Sequence, residues 1–214
     1  MRVTTSKPID AIEPDPRREG AVRLLIGGRT ALVVPHEAVR REGLAPGVVP
    51  TAEQLDRLTA AADQDAAFRT AVRLLERRPF ARKDLARRLA LKGHPVGLIE
   101  PALDRAERAG YLDDERFARH FIQAKSARGR GPARLRRELS LQGVAAGVVE
   151  RLLAEELAPG WSAEAVRTLA EKRARQLAGV PRPDRIRRLV AYLGRRGFSG
   201  PEVVGVVRQV VGSG

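Results

Sequence analysis

The sequence predicts a mostly α-helical protein in which three tandem three-helix repeats follow a small β-containing N-terminal lobe. Three segments, at residues 85–93, 135–143 and 189–197, share the spacing Leu-x3-Leu-x3-Gly. Each segment follows an arginine-rich helical pattern and precedes a second apolar stripe, which indicates a repeated supersecondary unit. Because one such unit is too small to bury its own apolar stripes, neighbouring units must share a core and form an elongated, curved body.

The excess of positive over negative charge is confined to these repeats. Residues 1–65 hold 9 basic and 10 acidic side chains, residues 66–157 hold 20 and 12, and residues 158–214 hold 11 and 4. A genome-wide preference for arginine would explain 35 Arg against 5 Lys, but it would not segregate the charge. The segregation therefore favours binding to a polyanion. The predicted domains are a lobe over 1–65 and repeats over 66–112, 113–158 and 159–214.

The lobe begins with a predicted β-hairpin. Two β-prone runs, at residues 21–26 and 30–34, are separated by Gly27 and Gly28, whose access to positive φ suits a tight turn. A third strand is expected at residues 9–12. Since an isolated hairpin is marginally stable in water, this small sheet must pack on a helix or on the first repeat.

Two helices are expected after the hairpin. The first is short, over residues 35–42, and the second opens with a capping box formed by Thr51 and Gln54 and ends near residue 61. Because residues 1–65 carry a net charge of −1, we expect the lobe to be accessory. Its removal should leave most of the affinity for a polyanion.

The first repeat carries three helical patterns. The first helix has an apolar stripe opposite arginines at i, i+4 spacing and ends at Pro79. The second, about residues 82–92, ends at Gly93, which can adopt the left-handed conformation of a C′ residue. The third runs to about residue 109. Pro101 within it predicts a late start or a kink, because proline lacks the N–H of an internal helical residue.

The second repeat opens with Asp113, Asp114 and Glu115. We interpret these acids as a helix cap and not as metal ligands, because consecutive side chains diverge around a helix. Phe117 and Phe121 are predicted to face the core. Pro132 is placed at the first position of the next helix, and a helix over 145–157 closes the repeat.

The third repeat is predicted to have Ser162 as N-cap and helices over 163–177, 184–196 and 201–211. Trp161 is interpreted as a packing anchor, because no aromatic stripe accompanies it as a base-stacking surface would require.

No catalytic or cofactor pattern is present in the sequence. The three histidines are scattered, and none lies in a His-Glu-x-x-His motif. The absence of cysteine excludes disulfides and thiolate metal sites and fits a reducing cytoplasm. The first twenty residues contain no apolar run typical of a secretory signal or membrane span. We therefore expect a cytoplasmic, non-enzymatic protein without cofactor, metal or membrane association.

Several motifs, in order and with a period of about fifty residues, resemble the RecX family of bacterial regulatory proteins. The resemblance is good over residues 66–157 and looser in the third repeat. Two departures are Ala81, where the family usually has Ser or Thr, and Pro101. The matching residues are Arg78-Pro79, Lys83-Asp84-Leu85, Leu89, Lys92-Gly93, Gly110 to Asp114, Phe117-Ala118, Lys125, Gly131 to Leu135, Glu138-Leu139 and Gln142 to Val144.

The resemblance implies a non-enzymatic modulator of the RecA recombinase that lodges in the groove of the RecA filament on single-stranded DNA. Such binding inhibits filament growth and, with it, ATPase activity, strand exchange and coprotease cleavage of the repressor. The alternative is an independent DNA-binding protein or transcriptional regulator, in which an arginine-rich helix enters the major groove of duplex DNA. Three similar basic repeats favour the filament modulator, which we expect to be monomeric.

The candidate contact residues lie on the second helix of each repeat. Two more lie in the turn before the second helix of the middle repeat. Arg134 and Arg137 are three residues apart on one helical face and are the most specific candidates, against a merely solvated face. The full set is Lys83, Arg87, Arg88, Lys92, Arg128, Arg130, Arg134, Arg136, Arg137, Arg185, Arg187, Arg188, Arg195 and Arg196.

Overall fold

A computed structural model describes residues 6–157 and 161–212 and confirms a mostly helical protein with a small N-terminal sheet. Its elements are β1 (Ala11–Pro14), β2 (Ala21–Ile26), β3 (Arg29–Pro35), α1 (His36–Arg41), α2 (Ala52–Arg77), α3 (Arg82–Leu91), α4 (Val96–Arg108), α5 (Asp114–Ser126), α6 (Pro132–Gln142), α7 (Ala146–Glu156), α8 (Trp161–Arg175), α9 (Arg182–Arg196) and α10 (Pro201–Gly212).

These elements fall into two compact units. The first contains the described residues up to Pro79 together with Leu85–Leu112. The second contains Phe80–Asp84 and the described residues from Asp113 onward. The first residues of α3 therefore pack with the second unit. The division of the chain into domains at residues 65, 112 and 158 stays a prediction.

The sheet is antiparallel, in the order β1-β2-β3. The hairpin between β2 and β3 turns at Gly27 and Gly28, whose φ values of +62° and +70° confirm the predicted turn. The third strand is confirmed as β1, which begins two residues later than predicted and shares Ala11 and Ile12 with the predicted residues 9–12. Ile9 instead donates its N–H to the carbonyl of Val48 at 2.9 Å and accepts from the N–H of Gly47 at 2.8 Å, so its backbone is occupied outside the sheet.

Helix α2 is continuous over 26 residues, so its predicted end near residue 61 is wrong. No glycine or proline occurs between residues 52 and 78, and the alanine-rich middle of this segment strongly favours a helix. The capping box is confirmed, with Thr51 and Gln54 each accepting the other's backbone N–H. Leu58 packs in the core beneath the sheet, while the later turns contact α4. One helix is therefore shared by the lobe and the first repeat.

The first repeat is otherwise close to prediction. Leu85 and Leu89 of α3 are fully buried, and Gly93 follows the helix with φ +84°. The late start predicted for the next helix is wrong, because α4 begins at Val96 and contains Pro101. Pro101 cannot donate to the carbonyl of Gly97, but Gly97 is exposed, so water can bind that carbonyl instead.

The second unit contains two three-helix cores. In the first, Leu135 and Leu139 are fully buried, and Phe117 and Phe121 pack against them as predicted. In the second, Leu189 and Leu193 are fully buried. The N-cap assignment of Ser162 is wrong, because α8 already begins one residue earlier. The interpretation of Trp161 concerns a side chain outside the described part of the structure.

Two glycines allow the second and third repeats to meet backbone to backbone. The N–H of Gly131 donates to the carbonyl of Arg196 at 2.7 Å, and that of Ala133 donates to the carbonyl of Gly197 at 3.2 Å. A Cβ on Gly131 would lie 2.5 Å from the carbonyl oxygen of Gly197, and a Cβ on Gly197 would lie 2.5 Å from the backbone nitrogen of Arg134. Gly197 also has φ +92°. Only glycine fits at either position.

The start of α3 meets the end of α6 in a similar way. Gly143 has φ +90°, and a Cβ at this position would overlap the Cβ of Lys83. Beside this contact, the backbone N–H of Arg82 donates to Oδ1 of Asp114 at 2.6 Å. In both contacts, the glycine that follows the second helix of one repeat lies against the first turn of the second helix of the preceding repeat. Gly143 follows α6 and contacts α3, and Gly197 follows α9 and contacts α6.

We expect Gly197→Ala to lower the free energy of unfolding by about 2–4 kcal/mol, because it combines positive φ with overlap against backbone atoms. Gly194→Ala is the matched control. Gly194 lies in α9, which ends beside Gly197, and a Cβ at Gly194 would contact no neighbouring atom within 4 Å. That change should stabilise by about 0.5–1 kcal/mol. Urea unfolding followed by circular dichroism measures both. Equal effects of the two substitutions would contradict the close backbone contact.

Candidate anion-binding cleft

The junction of α6 and α9 brings five arginines around one cleft. Its volume is about 450 Å3. We call it the arginine cleft, and the residues that line it are Arg128, Arg130, Arg134, Tyr192, Arg195 and Arg196. All five arginines belong to the set predicted from the sequence, and they come from two segments more than fifty residues apart.

The glycine junction positions the arginine cleft. Because the turn before α6 lies against the end of α9, Nη1 of Arg196 reaches the carbonyl oxygen of Arg128 at 3.2 Å. In return, Nη1 of Arg134 donates to the carbonyl of Arg195 at 3.3 Å. The guanidinium of Arg196 also lies 5.0 Å from the ring centroid of Tyr192, which is favourable for a cation–π contact. Two of the five guanidiniums are thus fixed by contacts across the junction.

Glu138 is the one carboxylate paired with arginines of the cleft among the described residues. It accepts from Arg130 and from Nε of Arg134, the latter at 2.8 Å. Burial alone would raise the pKa of Glu138, but the hydrogen bonds and charges of Arg134 and Arg130 outweigh burial and lower it. Glu138 is therefore ionised at neutral pH. Five guanidiniums against one carboxylate leave an excess of four positive charges.

Arg128 and Arg195 are the arginines of the cleft that are available to a ligand. Both side chains are exposed, and neither has an ion-pair partner among the described residues. Guanidinium groups bind phosphate or carboxylate oxygens in bidentate fashion. The arrangement therefore suits an anionic ligand, held by Arg128 and Arg195 at the rim and attracted by the fixed charges behind them.

Three other predicted residues are engaged in contacts within the protein. Nη2 of Arg136 donates to Glu150 at 2.8 Å, and the pKa of Arg136 is raised chiefly by this hydrogen bond. Arg185 donates to the carbonyls of Ala178 and Val180, so it stabilises the turn before α9. Arg187 forms an ion pair with Asp184 at 2.9 Å. None of these three side chains lines the arginine cleft.

The remaining predicted residues also lie outside the cleft. Arg137 and Arg188 are exposed on α6 and α9 without an ion-pair partner in the described structure. Arg134 and Arg137, paired in the sequence argument, are therefore separated, because Arg134 turns to the junction. The stem of Lys83 packs at Gly143. Arg87 and Arg88, on α3, and Lys92, directly after it, belong to the first unit.

Sequence reasoning missed two members of the site. Tyr192 was not considered, although it precedes Arg196 by four residues and so shares its helical face. Glu138 was quoted only as part of a family motif. Its i, i+4 spacing from Arg134 could have indicated that ion pair. The pair with Arg130 could not be read in this way, because Arg130 lies in the turn before α6.

Of the three acids predicted to cap α5, Asp113 caps it, whereas Asp114 accepts the N–H of Arg82 and Glu115 forms an ion pair. Oδ1 of Asp113 accepts the N–H of Arg116 at 2.8 Å, and Glu115 pairs with Arg151 at 2.7 Å. In residues 6–157 and 161–212, no group of acidic or histidine side chains is arranged to hold a metal ion. Within the same ranges, no helix combines the length and apolar character needed to cross a bilayer.

Fold and cleft together define a protein of tandem three-helix domains with an arginine-lined junction between the second and third. Family models described as the first, second and third three-helix domains of RecX match residues 67–105, 113–153 and 162–206. The regulatory protein RecX of Halorhodospira halophila is 40% identical over 145 residues, which cover 67% of this chain and 88% of that protein. The chain belongs to the RecX family.

Other relatives and solved structures agree. Regulatory protein RecX of Pseudomonas entomophila is 41% identical over 133 residues, 61% of this chain and 83% of its own. A crystal structure of regulatory protein RecX superposes with a TM-score of 0.82 at 22% identity, covering 95% of this chain and 99% of the other. RecX from Lactobacillus salivarius gives 0.62 at 18% identity, covering 69% and 96%. These two structures establish the shared fold.

If Arg128 and Arg195 contact phosphates, changing both to Ala should weaken binding to single-stranded DNA. It should also reduce the slope of log affinity against log salt concentration by about 0.7 for each lost contact. Arg137→Ala with Arg188→Ala is the matched control, because it removes the same charge from exposed arginines of α6 and α9 that lie outside the cleft. Fluorescence anisotropy over a salt series measures both. A larger loss in the control would place the binding surface outside the arginine cleft.

Proposed function

We propose that this protein regulates the RecA recombinase by binding the RecA filament on single-stranded DNA. Binding inhibits filament growth and therefore ATPase activity, strand exchange and coprotease cleavage. Membership of the RecX family supports the regulatory role. The arginine cleft is the observation that carries the proposal at the level of residues, because it concentrates positive charge at a fixed junction of two domains.

The physical basis is electrostatic complementarity. A nucleoprotein filament presents regularly spaced phosphates and acidic side chains, and clustered guanidiniums attract both over several ångströms. The fixed charges of Arg134 and Arg196 contribute to this attraction, whereas Arg128 and Arg195 can form direct contacts. A regulator bound in this way obstructs the filament without catalysing any reaction, and it would act in the cytoplasm, where the recombinase works.

The alternative function, sequence-specific binding of duplex DNA by one recognition helix, has less support from the side chains. On α6, the helix that carries the most specific candidates from the sequence, Arg134 is engaged by Glu138 and Arg136 by Glu150. This leaves Arg137 as the exposed arginine of that helix without an ion-pair partner among the described residues. A helix that reads base edges requires several such side chains on one face.

The test is ATP turnover by the cognate RecA on single-stranded DNA, measured with increasing amounts of this protein. We expect inhibition by the wild type and an approximately tenfold higher half-inhibitory concentration for Arg128→Ala with Arg195→Ala, which corresponds to about 1.4 kcal/mol of binding free energy. The Arg137→Ala and Arg188→Ala control should resemble the wild type. Unchanged turnover at saturating wild-type protein, together with tight sequence-specific duplex binding, would instead support the alternative.

A further inference from the structure

A second cluster of arginines lies in the first unit, where the lobe meets the shared helix α2. The turn between β1 and β2 places Arg17 and Arg18 opposite Arg69 and Arg73, which are one helical turn apart. The cleft between them has a volume of about 530 Å3. We call it the lobe cleft, and its principal lining residues are Arg17, Arg18, Phe68, Arg69, Arg73 and Tyr111.

Backbone hydrogen bonds hold the turn that carries Arg17 and Arg18. Oδ1 of Asp15 accepts the N–H of Arg17 at 2.9 Å, and the carbonyl of Asp15 accepts that of Arg18 at 3.3 Å. The N–H of Ala21 then donates to the carbonyl of Arg18 at 3.1 Å, which closes the turn at the start of β2. The two arginines are therefore presented by an ordered loop.

The lobe cleft has more positive charge than the described side chains neutralise. Arg69 and Arg105 share the carboxylate of Asp65. Arg17 and Arg18 have no ion-pair partner among the described residues, and Arg73 donates to the hydroxyl of Thr70 at 3.3 Å. The pKa of Arg69 is lowered by burial and then by the charges of Arg18, Arg73 and Arg105. An anionic ligand would relieve this repulsion.

Two acidic residues of the lobe act on Arg69, because Asp65 pairs with it and the charge of Asp15 opposes the lowering of its pKa, but three others are engaged away from the cleft. Oδ2 of Asp10 accepts the N–H of Gly28 at 2.7 Å in the hairpin turn. Glu13 pairs with Arg23 at 2.8 Å across the sheet. Glu42 pairs with Arg57 at 2.7 Å, at the start of α2. The net charge of the lobe therefore says little about the charge at the lobe cleft.

An aromatic side chain lies beside these arginines. Tyr111 is 47% exposed, and its ring packs edge-on against Phe68 with 6.3 Å between ring centroids. Phe68 is itself covered by the guanidinium of Arg105, 3.9 Å from its ring centroid. Phe68 is thus fixed from one side and supports Tyr111 at the edge of the cleft. Guanidiniums next to a supported, exposed aromatic ring are typical of sites for single-stranded nucleic acid.

We propose that the lobe cleft binds single-stranded nucleic acid, with phosphates on Arg17, Arg18, Arg69 and Arg73 and one base against Tyr111. The ligand is nucleic acid and not an acidic protein segment, because carboxylates would use the arginines but leave the tyrosine ring unused. The lobe is then a binding element, contrary to its expected accessory role. This inference goes beyond the proposed function, since it concerns free single strands and requires no recombinase.

The experiment measures binding of the full-length protein to fluorescently labelled oligo(dT) by anisotropy. Arg17→Ala with Arg18→Ala should weaken binding about tenfold at fixed salt and reduce the salt slope by about 1.4, for two lost phosphate contacts. The matched control is Arg40→Ala with Arg41→Ala, which removes two consecutive exposed arginines of the same lobe outside the cleft. It should change the affinity less than twofold.

A third variant tests the base contact. Tyr111→Leu keeps an apolar side chain against Phe68 and should weaken oligo(dT) binding at least fivefold without changing the salt slope. Binding to polyglutamate, measured in parallel, should be insensitive to this change. Equal losses for oligo(dT) and polyglutamate in the double arginine variant, with no effect of Tyr111→Leu on either, would identify an acidic protein ligand and overturn the inference.

The recombinase assay separates this inference from the proposed function. Unchanged oligo(dT) binding by the Arg17→Ala and Arg18→Ala variant would overturn the inference, whatever happens to ATP turnover. Loss of oligo(dT) binding in that variant and in Tyr111→Leu supports it, even if the wild-type protein fails to inhibit the recombinase, in which case the proposed function alone is wrong. Matched unfolding midpoints of the variants ensure that folded proteins are compared.

Discussion

The contact between two backbones at Gly131 and Gly197 is the constraint on which the second unit depends. Because neither residue has a Cβ, two backbone N–H groups of one repeat can donate directly to carbonyls of the next. Hydrogen bonds of this kind fix both distance and direction, which apolar packing alone does not. The arginine cleft follows from this contact, since its arginines flank the two glycines in sequence.

Much of the helical pattern could be predicted from the sequence, because the periodic leucines of each repeat are also its most buried side chains. From the sequence, Gly93 can be assigned to a helix C-terminus, and Gly143 and Gly197 share its position in the repeat. That is sufficient for Gly93, where a Cβ would meet nothing within 4 Å, but Gly143 and Gly197 also receive a neighbouring helix. Helical spacing describes one segment at a time, so it could not reveal a contact between residues sixty or more positions apart in the sequence.

The candidate sites show the same limit. Fourteen basic residues were predicted from local clustering, yet ion pairs with Glu138, Glu150 and Asp184 divide them into fixed and available charges. Net charge was less informative still for the N-terminal lobe, whose acids and arginines lie at different places. The net charge of a domain does not show where on its surface a ligand would meet positive charge. Only the folded structure shows which charged side chains are paired with each other and which are not.

Because α2 is continuous, it fixes the angle about its axis between the side chains near its start and those near its end. Its early turns pack beneath the sheet, and its later turns carry Arg69 and Arg73. The orientation of the sheet relative to these arginines is therefore set by the number of residues between them in the helix. An α-helix advances about 100° per residue. A single-residue insertion near the middle of α2 would therefore rotate the sheet about the helix axis by roughly a quarter of a turn. Arg17 and Arg18 would move with the sheet, away from Arg69 and Arg73. Changes in the length of this helix are consequently tolerable only in steps close to whole turns.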